Sequence, residues 1–308
     1  MNNNLQKFTN KYLTADGNRR AFIKMKELRT LWFNTGTLCN IECEGCYIES
    51  SPKNDQLLYI NHSEIKKYLD QIFKLKLRVK SIGFTGGEPF MNKDIIKILK
   101  ICLDKNFQVL VLTNGMQPML NRSSDLISLS RYSKLTMRIS LDHYTRIKHE
   151  LIRGKNTWNK TVEGINFLNN NNFKINIASR LLWKDENETE IRVGFKKLFR
   201  KIKLNIDALD RKQLVLFPEM DNNYDISEIT SSCWNKLNIN RENIMCSNSR
   251  MIVKRKQTGK TSIVACTLIP YDLNFDLGKD LLRSHKKVYL NHVHCAKFCV
   301  LGGGNCKQ

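Results

Sequence analysis

An alternation of two patterns restricts the fold of this chain more than any other feature. Six short apolar runs rich in β-formers recur along it: "LWFNTGT" (31–37), "VKSIGFT" (79–85), "FQVLVLT" (107–113), "LTMRISL" (135–141), "FKINIASRLL" (173–182) and "QLVLF" (213–217). Between them lie stretches whose apolar residues fall at helical spacing. The first covers 63–77, with Ser63 as its cap and Ile65, Tyr68, Leu69, Ile72 and Phe73 on one stripe; the others cover 92–104, 120–131, the stretch after Thr157 to about Asn170, and 186–203. Strands joined by helical crossovers pair in parallel, and each crossover turns right-handed. The expected fold is α/β, a partial (β/α)6 TIM-type barrel, because six units fall short of the eight that close one. After Pro218 the pattern breaks. Three parts are expected: an N-terminal extension (1–30), the core (31–218) and a small cysteine-rich C-terminal extension (219–308).

In such a fold the loops after the strands gather at one end. "LCNIECEGCYIES" (38–50) follows the first strand, "GGEP" the second, "NG" the third and "LDHY" the fourth. Cys39, Cys43 and Cys46 put three thiols in one loop with no fourth beside them. A four-iron cluster with one open iron suits this spacing. Zinc held by three cysteines and water is the alternative, although His62 is too far along the chain to complete the set. A redox use of "CEGC" alone leaves Cys39 unexplained. Cys102 shares a helical face with Ile95, Ile98 and Leu99 and reads as core.

Taken together, the cysteine triplet, "FTGGEPF" (84–90), "LTNG" (112–115), "ISLD" (139–142) and "HELIRG" (149–154) resemble the radical SAM superfamily. In particular they are similar to members with SPASM or twitch extensions, among them molybdopterin-precursor cyclases and peptide and sulfatase maturases. The resemblance implies a [4Fe–4S] cluster on Cys39, Cys43 and Cys46, with S-adenosylmethionine on the open iron. Gly86, Gly87 and Glu88 would then meet the methionine amino group. Asn114 would belong to the same cofactor site, Ser140 would face the ribose and Arg153 the carboxylate. It also implies reductive cleavage to a 5′-deoxyadenosyl radical, driven by a cluster potential on the order of −400 to −700 mV. One position departs from the family pattern. An aromatic residue usually precedes the third cysteine and covers the adenine, but here that position is Gly45, so Tyr47 becomes the candidate for the contact.

The C-terminal cysteines resemble in outline an extension carrying an auxiliary iron–sulfur cluster, with Cys246, Cys266, Cys295 and either Cys299 or Cys306 as ligands. Cys295 and Cys299 are separated by three residues where two are usual. Zinc on the same thiols, with His292 or His294, is the competing arrangement. "TGKTS" lacks the earlier glycine of a phosphate loop, and "HELIR" has Arg153 where a zinc protease helix needs histidine.

Ten cysteines in a chain without an N-terminal apolar run point to a reducing, cytoplasmic setting with no membrane segment. The net charge of +22 would favour a polyanion such as RNA, yet lysines are scattered along the whole chain. The expected substrate is a peptide or small metabolite, with an RNA-modifying enzyme as the alternative. The expected electron donor is a reductant such as flavodoxin or ferredoxin. A non-catalytic iron–sulfur or zinc protein is the reading from another class, but it has no use for the "GGEP", "SLD" and Arg153 set.

Overall fold

A computed structural model describes residues 6–219 and 225–304. The chain runs β1 (Phe22–Ile23), β2 (Thr30–Asn34), α1 (His62–Lys74), β3 (Ser81–Thr85), α2 (Ile95–Asp104), β4 (Gln108–Thr113), α3 (Gln117–Leu120), α4 (Ser123–Ile127) and β5 (Leu135–Ser140). It continues with α5 (Arg146–Arg153), α6 (Thr157–Asn170), β6 (Lys174–Leu181), α7 (Glu188–Lys201) and β7 (Leu214–Pro218). Beyond these come α8 (Cys233–Lys236), β8 (Ser249–Lys254), β9 (Thr261–Val264), β10 (Val288–Tyr289) and a π-helical segment at Cys295–Leu301.

The main sheet has eight strands in the order β7-β6-β5-β4-β3-β2-β8-β9. From β2 to β7 each strand pairs in parallel with the next in sequence. This is the α/β parallel sheet expected of a partial TIM-type barrel, and β7 and β9 are its two edges. The sequence pattern did not announce β8. It lies parallel beside β2, with Thr30 opposite Ser249, and β9 adds antiparallel to it. The chain after Pro218 therefore returns into the same sheet. At the other end, β1 pairs with β10, Phe22 opposite Tyr289.

Several element boundaries move for local reasons. α1 starts at His62, capped by Asn61, whose side chain accepts from the Glu64 N–H while Glu64 bonds back, so Asn61 and not Ser63 is the cap. α2 begins only at Ile95, because Pro89–Met91 form a 3₁₀ turn first. The helix expected over 120–131 is instead two short helices, α3 with Pro118 in its first turn and α4 after a non-helical Arg122. β2 is buried along its whole length, as a strand covered on both faces must be. Phe33 of β2 stacks on Phe84 of β3 with ring centroids 5.8 Å apart, and Cys102 is fully buried in the same core. Among the described residues, no helix is long and apolar enough to cross a membrane.

Candidate cofactor site and a second thiol cavity

The loop after β2 is built to meet the loop after β3. The Gly87 N–H donates to the Gly36 carbonyl at 2.9 Å and the Glu88 N–H to the Leu38 carbonyl at 3.1 Å. A side chain on either glycine would strike that backbone: a Cβ at Gly87 would lie 2.2 Å from Leu38 O. The "GG" pair thus lets the two loops touch just before Cys39. In the cysteine loop itself, the Cys46 N–H turns back to Cys43 O, and Gly45 sits at φ +63°. Both neighbouring walls hold this turn. The Glu44 N–H donates to Ile152 O at the end of α5, and Arg180 of β6 donates to Glu44 O at 3.0 Å and to Gly45 O at 3.3 Å.

These segments enclose a cavity with roughly 1110 Å³ of free space, its open mouth included. Its wall includes Cys39, Cys43, Cys46, Gly45, Tyr47, Gly86, Gly87, Asn114, Ser140 and Arg153. Glu88 is placed differently. It is fully buried outside that wall, where its carboxylate accepts from Phe90 N–H, Thr113 Oγ1–H and Asn114 N–H. Burial pushes its carboxyl above the usual range, while those three donors pull the other way. Asn114 in turn donates from Nδ2 to Asn40 Oδ1 at 2.8 Å and approaches Cys39 Sγ at 3.9 Å. Tyr47 lies against the core with its hydroxyl 3.5 Å from Thr85 Oγ1.

Two wall residues escaped the sequence reading. Asp142 pairs with Arg153 Nε at 2.7 Å and faces Arg180 Nε at 3.6 Å, so one carboxylate lies between two cations. Asp142 was within the quoted "ISLD", but nothing in one sequence marks its role; Arg180 was hidden inside a strand pattern. Burial works against the Arg153 charge, and Asp142 together with Cys43 more than offsets it. Burial also pushes the Cys39 thiol up to about 12 and raises Cys43. Thiolates here call for positive charge beside them, of the kind a metal supplies. The opposite side of the wall is apolar and comes from β7 and the C-terminal region: Phe217, Pro218, Leu268 and Phe298.

A second, smaller cavity, with roughly 360 Å³ of free space, is lined by Cys246, Cys266, Cys295 and Cys299 together with His294. The one-residue-longer gap between Cys295 and Cys299 falls in the π-helical segment, whose wider turn brings both thiols to this cavity. His292 is not on its wall; its Nδ1 accepts from the His294 N–H. Cys306 lies outside the described residues. Leu268 lines both cavities, which therefore share a wall. Among the described residues, no three or more His, Cys, Asp or Glu side chains are grouped to hold a single metal ion.

The profile of the radical SAM superfamily matches residues 33–197, more than half of the chain. The chain belongs to the radical SAM superfamily. Radical SAM proteins are enzymes that use a [4Fe–4S] cluster and S-adenosylmethionine, and the matched stretch runs from the end of β2 through β6 and most of α7. Among curated radical SAM relatives, the antilisterial bacteriocin subtilosin biosynthesis protein AlbA of Bacillus subtilis (strain 168) is 32% identical over 149 residues, 48% of this chain and 32% of that protein. A GTP 3′,8-cyclase of Psychromonas ingrahamii is 27% identical over 156 residues, 50% of this chain and 44% of that enzyme. The match thus spans a third to under a half of these curated relatives. Among solved radical SAM structures, Streptococcus suis SuiB bound to S-adenosylmethionine superposes with a TM-score of 0.61 at 14% identity, covering 83% of this chain and 65% of SuiB. SuiB has also been solved with its precursor peptide SuiA, at a TM-score of 0.59. At such identities the likeness is one of fold.

Proposed function

We propose that Cys39, Cys43 and Cys46 hold the [4Fe–4S] cluster, that S-adenosylmethionine fills the rest of their cavity, and that the enzyme takes a hydrogen atom from a peptide. The observation that carries this reading is that three thiols of one loop share a cavity with the ends of β3 to β6, with no fourth thiol on its wall among the described residues. When bound, the cluster and S-adenosylmethionine supply one electron and a carbon–sulfur bond whose cleavage yields a 5′-deoxyadenosyl radical. The chain's own residues bind and orient. Gly86 and Gly87 bring backbone groups to the cavity, Ser140 offers a hydroxyl at the end of β5, and Arg153, fixed by Asp142, offers a cation to a carboxylate. Glu88 acts by holding the Thr113–Asn114 turn. Phe217, Pro218, Leu268 and Phe298 keep water from the reacting atoms.

In the second cavity, Cys246, Cys266, Cys295 and Cys299 hold an auxiliary iron–sulfur centre in the region 219–308. Four thiols spaced around one cavity suit a polynuclear iron–sulfur cluster. The peptide reading is supported by AlbA, named for biosynthesis of a bacteriocin, and by SuiB, solved with a precursor peptide. A small metabolite is the second reading, favoured by the similarity to a GTP cyclase. RNA rests on bulk charge alone. The enzyme would draw electrons from a flavodoxin or ferredoxin in a reducing, cytoplasmic setting.

Anaerobically reconstituted protein given dithionite and S-adenosylmethionine is expected to release 5′-deoxyadenosine, and Cys43→Ala is expected to release none. Absence of product from the wild type would overturn the proposal. Iron in a Cys39/Cys43/Cys46 triple-alanine variant is expected to stay near about four per chain if the auxiliary centre exists.

A further inference from the structure

Arg250, on β8, is fully buried, yet no carboxylate among the described residues pairs with it. Its guanidinium spends its donors on main-chain carbonyls only: Nε on Ser284 O at 3.0 Å, Nη1 on Cys246 O at 2.7 Å and Ser249 O at 2.8 Å, and Nη2 on Lys286 O at 3.4 Å. The groups that act electrostatically in its favour are the Cys246 and Cys266 side chains, both on the wall of the second cavity. An arginine guanidinium keeps its proton inside a protein, so Arg250 is a buried cation.

A buried cation without a counter-ion is costly, and carbonyl dipoles offset only part of that cost. The surrounding fold contains buried arginines that are matched: Arg153 has Asp142, and Arg20 has Glu228 at 2.5 Å. Arg250 lacks such a partner and is bonded instead to the Cys246 turn, whose thiol lines a cavity with Cys266, Cys295 and Cys299. A cluster ligated by four thiolates carries net negative charge, and its reduction adds one more. A fixed positive charge close to such a cluster stabilises the reduced form more than the oxidised one.

We propose that Arg250 is the built-in counter-cation of the auxiliary centre and raises its reduction potential. Arg250 is a positioning and tuning residue with no part as ligand. The inference rests on the auxiliary-centre reading above. The competing role is purely structural: Arg250 ties β8 and the Cys246 turn to the 284–286 segment through the same four carbonyls.

The test uses the full-length Cys39/Cys43/Cys46 triple-alanine protein, reconstituted with iron and sulfide, so that only the second cavity can load. Iron is counted first. No iron there overturns the auxiliary-centre reading itself, before any Arg250 variant is made. At matched iron content, a dye-mediated redox titration followed by electron paramagnetic resonance compares Arg250→Gln and Arg250→Lys with the parent. Arg250→Gln is expected to shift the one-electron equilibrium at least tenfold toward the oxidised form, about 59 mV in midpoint. Arg250→Lys, which keeps the charge but not the fork of donors, is expected to stay within twofold of the parent. An unchanged equilibrium in Arg250→Gln overturns the proposal, as does an equal fall in both variants, which would mark a structural role. If Arg250→Gln does not fold, Arg250→Lys decides alone: a change within twofold supports the charge role and a tenfold change overturns it.

Discussion

The guanidinium of Arg180 occupies the space above Gly45: a Cβ built at position 45 would stand 3.2 Å from Arg180 Nη1, on a backbone already at φ +63°. The aromatic residue usual before the third cysteine is thus disfavoured twice, by conformation and by a neighbour bonded to the same turn. Gly45→Ala is expected to cost about 1–2 kcal/mol from the left-handed backbone alone. Gly45→Tyr, which restores the family's usual residue type, is expected to weaken S-adenosylmethionine binding roughly tenfold, about 1.4 kcal/mol. Equilibrium dialysis of the loaded protein measures it; tighter binding would show that the turn can accept the ring.

Asp142 is 4% exposed and Arg153 13% exposed, so their ion pair is screened little by solvent. Asp142→Ala leaves Arg153 buried beside Arg180 with no anion between them, and such a loss costs about 3–5 kcal/mol. Asp142→Asn, still an acceptor, is expected to lose less. Urea unfolding midpoints at neutral pH report both. Equal midpoints for wild type and Asp142→Ala would mean that the pair contributes nothing to the fold.

Glu88→Gln changes no atom on the cavity wall, yet it is expected to weaken S-adenosylmethionine binding. The new amide presents N–H groups to a site where Thr113 and Asn114 already donate, so one buried donor loses its acceptor, at about 1–3 kcal/mol. A drop in thermal midpoint together with weaker binding is the expected pair of results. A drop in binding with stability intact would instead bring Glu88 into direct contact with the cofactor.

His149 of α5 is fully buried, with neither ring nitrogen hydrogen-bonded among the described residues and Trp158 edge-on at 5.6 Å. Burial, helped by the Arg153 charge, lowers its pKa from 6.5 to about 4. The unfolded chain therefore takes up a proton below pH 6.5 that the folded one refuses, so stability is full above 6.5 and is lost as pH falls toward 4. At 1.36 kcal/mol per unit, the loss between pH 7 and pH 5 is about 2 kcal/mol. His149→Phe is expected to lose about that much less over the same interval. The slope is reduced and not abolished, because burial lowers His294 to about 4 as well. Urea titrations at the two pH values check this; parallel losses in the two proteins would exclude His149 as the source.

The parts of the fold legible in the sequence were those governed by local pattern. α6 runs over Thr157–Asn170, where the spacing put it, because its apolar positions repeat within one element. β8 was missed because "SRMIVK" is no more strand-like than its surroundings, and its partner β2 lies at the other end of the chain. The same division holds for the site. The cysteine triplet stands out by spacing, and "GG" and Arg153 by their place in a pattern resembling a known family, whereas Arg180 and Asp142 gain meaning only when β5 and β6 place them beside the cysteine loop. Leu268 and Phe298 reach the cavity from the last quarter of the chain, which no local pattern can foretell.

The pairing of β2 with β8 also sets a condition on synthesis. Until residues 249–254 leave the ribosome, β2, buried on both faces in the finished sheet, is left as a bare apolar edge next to the cysteine loop. Nascent chains with such an edge associate with one another and engage chaperones. A fragment ending near residue 218 would therefore aggregate when expressed, although it spans the whole superfamily match. A piece of this protein that keeps β2 covered must therefore reach at least through β8, well beyond the superfamily match.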